Sequence, residues 1–259
     1  MKLIVTRPEP QAPAWLAQLR AAGAQAIALP LIGIQASAEP AALAAAWHNL
    51  ERHALVVFVS PNAVAGFFAA RPVGQAWPAS TRAAAPGPGT AQALRDAGLA
   101  AALVVEPDAD VPSFDSEALW ARLRGEAWAG RDVLFVRGDG GREFLADRLR
   151  EAGARVALVS AYRRTRPHWS EAERSLLATA LAAPQEHLWH FSSAEAIDHL
   201  DAAAPGADWS AAWALATHPR IAERARRLGI GHVIAGAPGI EAALHALADS
   251  HALLQSRRP

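Results

Sequence analysis

Residues 132–153, DVLFVRGDGGREFLADRLREAG, decide the fold class. Residues 133–136 are a short apolar run of strand type, and residues 137–141 are a glycine-rich turn. Phe144, Leu145 and Leu149 then recur at helical spacing until Gly153 stops the helix. Strand, tight turn and helix in that order predict one unit of a parallel α/β sheet. The first N–H groups of a helix lack intrahelical partners, and the helix dipole favours negative charge there. Gly140, Gly141 and Arg142 are expected to present those N–H groups. With Arg137 and Arg142 flanking it, the turn suits an anion.

The pattern recurs. Residues 3–6 form a strand, Arg7-Pro8 a turn, and Trp15, Leu16 and Leu19 a helix ending near Gly23. Residues 19–24 (LRAAGA) match residues 149–154 (LREAGA). Residues 57–64 (VFVSPNAV) match 190–197 (HFSSAEAI) in kind, and Gly87-Pro88-Gly89-Thr90-Ala91 answers His218-Pro219-Arg220-Ile221-Ala222. Matched blocks in one order indicate an internal duplication with a period of about half the chain, far too long for a solenoid. Strands alternating with helices throughout predict doubly wound parallel sheets. Ligands of such sheets bind beyond the carboxyl ends of the strands, where the matched turns of each half would line up. Residues 26–34 are read as leading away from the first unit, residues 40–50 as an alanine-rich helix, and Ser116 as the cap of the helix over 116–123.

Composition narrows the function. The 259 residues are 52% hydrophobic, enough for two cores of ordinary size. Formal net charge is zero, so no basic face for nucleic acid or anionic membrane is expected. The chain has no cysteine, which removes disulfides and thiolate chemistry and agrees with a reducing cytoplasm. Arg7 and two prolines follow the first apolar residues directly, so no secretory leader is expected, and no apolar run reaches membrane-spanning length. Arginine almost wholly replaces lysine, which reads as a GC-rich genome.

The turns limit the chemistry further. Neither Gly138-Asp139-Gly140-Gly141 nor Gly87-Pro88-Gly89 completes G-x-G-x-x-G, which speaks against a nucleotide-dependent enzyme. Ser60, Thr90, Ser192 and Ser193 stand where strands pass into helices, so each caps a helix or bonds a ligand. No nucleophile elbow surrounds them. His187 and His190, on one strand, point to opposite faces, and no H-E-x-x-H occurs, so no metal is expected. Tyr162 is the only tyrosine. A lone tyrosine is by default structural, half buried with its hydroxyl wet.

Taken together, FVSPNAV (58–64), the G-x-x-T-A turn (87–91), LFVRGDGGREFL (134–145), AYRRT (161–165), FSSAEAI (191–197) and THPRIAERARRLG (217–229) resemble the uroporphyrinogen-III synthase family. The resemblance runs from residue 3 to about residue 247. It implies two flavodoxin-like α/β domains joined by a two-stranded linker, with the active site in the cleft between them. The first domain would comprise residues 1–34 and 168–259 and the second residues 38–161. Residues 35–37 and 162–167 would be the linkers, with residues 26–34 and 156–164 as the crossing strands. The implied reaction is cofactor-free cyclisation of hydroxymethylbilane, a linear tetrapyrrole, to uroporphyrinogen III, with loss of water and inversion of ring D. Tyr162 matches the family tyrosine proposed to protonate the departing hydroxyl. Ser60, Ser192, Ser193, Gly87, Thr90, Gly138, His218 and Arg220 would contact substrate, and Arg137 and Arg142 would meet its carboxylates. The half bearing His218-Pro219-Arg220-Ile221 departs from the threonine-bearing turn. A small-molecule partner, a monomeric state, and no metal, nucleic acid or membrane complete the expectation. The alternative is a non-catalytic sensor clamping a small anion in the same cleft.

Overall fold

The structure is a computed structural model that describes residues 1–108, 110–111 and 114–256, the side chains of 255 and 256 excepted. The chain divides into two compact units, Met1–Gly33 with Thr165–Pro259, and Ile34–Arg164.

The first unit holds β1 (Lys2–Val5), β2 (Ala26–Ala28), β9 (His187–Phe191), β10 (Trp213–Ala216) and β11 (His232–Ala235). Its helices are α1 (Ala12–Ala21), α7 (Glu171–Ala182), α8 (Ala194–Ala203), α9 (Pro219–Leu228) and α10 (Ile240–Ser256). The strands pair in parallel in the order β2-β1-β9-β10-β11. This is the flavodoxin-like order, whose direction of winding reverses between the first strand and the third, here β1 and β9.

The second unit contains β3 (Gly33–Ala36), β4 (His53–Phe58), β5 (Arg82–Ala84), β6 (Val104–Val105), β7 (Asp132–Gly138) and β8 (Arg155–Thr165). With them come α2 (Pro40–His48), α3 (Pro61–Ala69), α4 (Pro88–Asp96), α5 (Ser116–Leu123) and α6 (Phe144–Glu151). The sheet order is β3-β8-β7-β4-β5-β6, parallel from β8 to β6. Counting from β7 restores the flavodoxin-like order, so the second unit is a circular permutation of the first.

The duplication reaches the level of register. Leu3 faces Ala26 in the first sheet and Val133 faces Val156 in the second, 130 residues on in both cases (133 minus 3, 156 minus 26). Leu3 also faces Leu188, and Val133 faces Leu55. The helix ends repeat as well. In the motifs ending α1, α4, α6 and α9, a left-handed glycine (Gly23, Gly98, Gly153 or Gly229) donates to the carbonyl three residues back. The next residue donates five back, as in Ala24 to Leu19 (3.0 Å) and Ala154 to Leu149 (2.9 Å). These paired bonds satisfy the last carbonyls of the helix, and the left-handed backbone explains the glycine.

Helices on both faces make the central strands apolar on both sides. Along β4, Leu55 and Val57 join one core with Phe135, Leu119 and Leu149, while Val56 and Phe58 join the other with Trp47 and Phe67. In the first unit Leu3, Val5, Leu188 and Leu215 form a core beneath α10.

Three local expectations are corrected. Residues 26–34 are not one crossing strand: β2 stays in the first sheet, and Leu29 and Leu31 continue to donate to Val5 and Thr6 around Pro30. Only β3 enters the second sheet, beside the eleven-residue β8, so residues 35–36 and 162–165 lie in strands. The cap of α5 is Asp115, whose carboxylate accepts from the Ala118 N–H (2.9 Å); Ser116 is the first helical residue. Helix α6 begins at Phe144 with Glu143 as its cap residue, because Gly140 (φ 73°) and Gly141 (φ 124°) hold conformations a right-handed helix excludes. Gly140, Gly141 and Arg142 therefore precede the helix N-terminus.

Candidate active site

In the second unit the reversal point lies between β7 and β4, and Tyr162 is built into it. A register shift at the end of β7 sets Gly138 opposite Tyr162. The aromatic ring lies against the glycine so closely that a Cβ on Gly138 would meet the ring carbon Cζ at 2.7 Å. The Asp139 N–H donates to the Tyr162 carbonyl (3.2 Å), and the Ser160 hydroxyl bonds both that carbonyl (3.2 Å) and the Asp139 carboxylate (2.5 Å). Tyr162 is thereby fixed by the end of β7 and by its own strand, and is fully buried. Its hydroxyl is 3.0 Å from Ser60 Oγ and accepts from Arg164 Nη2 at 3.4 Å. The wet, half-buried tyrosine expected from sequence is corrected: the ring belongs to the core, and only the hydroxyl meets polar partners.

Ser60 has two tasks. It caps α3 by accepting from the Ala63 N–H (3.2 Å) and touches the Tyr162 hydroxyl. Thr90 is buried in the first turn of α4, its hydroxyl without a hydrogen-bond partner among the described residues. Gly87 caps that helix, and an added Cβ would come within 3.2 Å of Phe114.

The arginines flanking the Gly140 turn already have internal partners. Arg137 pairs with Glu143 at 3.1 Å, and Arg142 pairs with Glu117. Glu143 also bonds Arg150, and these two hydrogen bonds, Arg150's foremost, hold its carboxyl below the usual range. The charge beside the turn is therefore balanced rather than standing free.

In the first unit the reversal point between β1 and β9 gathers Arg7, Ser192 and Ser193. Ser193 sits at the cap position of α8, but its side chain makes no capping bond, which leaves the hydroxyl available. His218 caps α9 through Nδ1, accepting from the Arg220 N–H (3.2 Å), so its ring serves the helix. Arg220 is exposed and has no ion pair among the described residues.

The first unit also holds a cluster around His190 that sequence spacing does not bring together. Thr6 donates to the His190 carbonyl (2.6 Å), Trp15 lies 4.7 Å from the His190 ring, and Arg7 covers Trp15 at 4.1 Å. Burial, aided by the Arg7 charge, pushes His190 down to about 3, so the folded protein keeps it neutral. The unfolded chain takes up a proton near the ordinary histidine value, and the folded chain does not until far lower pH. Stability from this site is thus complete above about pH 6.5 and falls toward pH 3, by about 1.4 kcal/mol per pH unit. Urea unfolding from pH 7 to 4.5 should show this slope, and His190→Leu should flatten it; equal slopes would contradict the assignment.

Among the described residues no group of three or more His, Asp or Glu side chains is placed to hold a metal ion. No helix among them is long and apolar enough to cross a membrane.

Two flavodoxin-like units that share one internal register, each gathering hydroxyls and arginines at its reversal point, define a duplicated, doubly wound α/β protein. Comparison with known proteins makes that class specific. A family model described as uroporphyrinogen-III synthase HemD matches residues 14–245. A uroporphyrinogen-III synthase of Salmonella typhimurium strain LT2 is 34% identical over 186 residues, covering 68% of this chain and 70% of that protein. One from Escherichia coli K12 is 31% identical over 179 residues, with the same coverage. The chain belongs to the uroporphyrinogen-III synthase family. Its fold is shared by solved uroporphyrinogen III synthases at low identity. A mutant of the Thermus thermophilus protein aligns at TM-score 0.59 and 17% identity, over 97% of this chain and 99% of that one. The Helicobacter pylori protein aligns at TM-score 0.59 and 16% identity, over 96% and 98%.

Proposed function

We propose that this chain catalyses the cofactor-free cyclisation of hydroxymethylbilane to uroporphyrinogen III in tetrapyrrole biosynthesis. Loss of the ring A hydroxyl as water leaves an electrophilic azafulvene. Ring D attacks through its substituted carbon, and the resulting spiro intermediate opens and recloses with that ring reversed. The bilane also closes unaided without inversion, so the protein's main contribution is to hold the productive conformer and exclude direct closure.

The observation that carries this reading beyond the family match is the anchoring of Tyr162. A phenol whose ring is locked by Gly138 and whose hydroxyl meets Ser60 and Arg164 at a strand-end reversal point is held as a proton donor should be. It protonates the departing hydroxyl, and the proton lost as the macrocycle closes restores the phenol. Ser60, Ser192, Ser193 and Thr90 offer hydroxyls to the substrate, and the backbone at Gly87 and Gly138 lets it approach. His218 orients the turn that presents Arg220, whose charge is available for a carboxylate. Arg137 and Arg142 must exchange a glutamate for a substrate carboxylate. Both pairs are open to solvent on at least one side, where ion pairs contribute little net stability, so the exchange is feasible. In this reading the protein acts in the cytoplasm as a monomer and binds neither nucleic acid nor membrane.

The test is a coupled assay that generates hydroxymethylbilane in situ, oxidises the products and separates the uroporphyrin isomers. Predominant isomer III is expected; isomer I alone from folded protein would end the synthase reading. Removing a general acid typically costs about 10²- to 10⁴-fold. This leaving group departs readily, so Tyr162→Phe should lower kcat by about 100-fold or less. Unchanged turnover would remove Tyr162 from the mechanism.

A further inference from the structure

Arg7 stands two residues beyond β1, at the reversal point of the first unit. By the register of the duplication it is the counterpart of Arg137, 130 residues on (137 minus 7). The two differ in how their charge is met. Arg137 carries Glu143, whereas Arg7 is held by a neutral side chain, Nη1 donating to Gln11 Oε1 at 2.9 Å. One face of the guanidinium is covered by Trp15, with 4.1 Å from Cζ to the ring centroid. Nε is buried with no hydrogen-bond partner, and Arg7 forms no ion pair among the described residues. Burial pushes the group down to about 10, which leaves it a cation at neutral pH.

A half-buried cation without a counter-charge is costly, and a hydrogen-bonded anion offsets that cost. The donors left unused are Nε and Nη2, the edge of the fork that takes a carboxylate in a bidentate grip. A single side-chain hydrogen bond holds the guanidinium, so turning that edge outward costs the bond to Gln11 and part of the contact with Trp15. The adjoining Ser193 hydroxyl, which makes no capping bond, lies at the end of the neighbouring strand. We infer that Arg7 is a carboxylate-binding residue for the substrate in the first unit, an inference that rests on the synthase reading above.

The experiment measures KM, kcat and the isomer III fraction for wild type, Arg7→Gln and Arg7→Lys in the coupled assay, with melting temperatures alongside. Arg7→Gln should raise KM by tenfold or more while kcat stays within about threefold, because a carboxylate grip is lost while the proton donor is untouched. Arg7→Lys keeps the charge but not the fork and should raise KM about threefold. A merely structural Arg7 would lower melting temperature and the amount of active protein without moving KM, and that result overturns the assignment. If Arg7→Gln does not fold, Arg7→Lys decides alone, an unchanged KM counting against the inference. Wild type that yields only isomer I would instead sink the synthase reading and take this inference with it.

Discussion

Gly138→Ala should cut the rate of isomer III formation by about 100-fold and destabilise the second unit by about 1–3 kcal/mol. The added Cβ would lie 2.7 Å from Cζ and 2.9 Å from Cε2 of Tyr162. The ring has no room to withdraw: it is buried in the core formed with Phe58, Val136 and Ala161. The whole side chain must therefore shift by about an ångström, and a displacement of that size at a catalytic group costs about 10²-fold. The loss should be at least that of Tyr162→Phe, because the extra methyl both displaces the phenol and stands on the backbone over which the substrate is proposed to approach. Isomer analysis and urea unfolding of both variants check this. Gly138→Ala with wild-type turnover would mean that the position of Tyr162 does not govern the reaction.

Trp47→Ala should cost about 3–5 kcal/mol, the largest stability loss expected of a single truncation in the second unit. Trp47 is fully buried between α2 and α3. Its ring stacks on Phe67 at 4.7 Å and meets Phe68 and Trp77 edge-on at 5.4 and 6.0 Å. The indole N–H donates to the Phe67 carbonyl at 2.8 Å, near the end of α3 where helix carbonyls lack intrahelical partners. Truncation leaves a cavity and removes one of that carbonyl's two donors, the Ala70 N–H (3.2 Å) being the other, so the cavity dominates the loss. Trp47→Phe keeps most of the apolar contact and should cost about half as much. A urea midpoint for Trp47→Ala within about 1 kcal/mol of wild type would show that this aromatic cluster repacks freely.

The doubly wound class is legible at residues 132–153, because strand, glycine turn and helix leave different apolar periods, and the repeat LRAAGA/LREAGA exposes the duplication. The same repeat contains a further signal. Carrying the 130-residue offset back from Arg137 lands on Arg7, which reads as part of a loop when each turn is taken alone. The strand-end hydroxyls are legible as cap-or-ligand positions, but sequence does not divide them. Ser60 caps α3 and Ser193 makes no capping bond to α8, although both follow a strand in the same way. Burial settles what spacing cannot: His190 is one histidine among ten in the sequence, yet in the fold it is neutral and enclosed.

The sequence by itself determined the alternation of strands and helices, the duplication and the residues that fall at strand ends, since these follow from local period and from glycine's access to left-handed backbone. Only the tertiary structure decided which charges are already balanced, that the segment after β2 joins the second sheet only from residue 33 on, and that Tyr162 rests on Gly138. Those facts depend on which side chains meet across strands far apart in the chain, and no local spacing encodes a contact between residues 60 and 162.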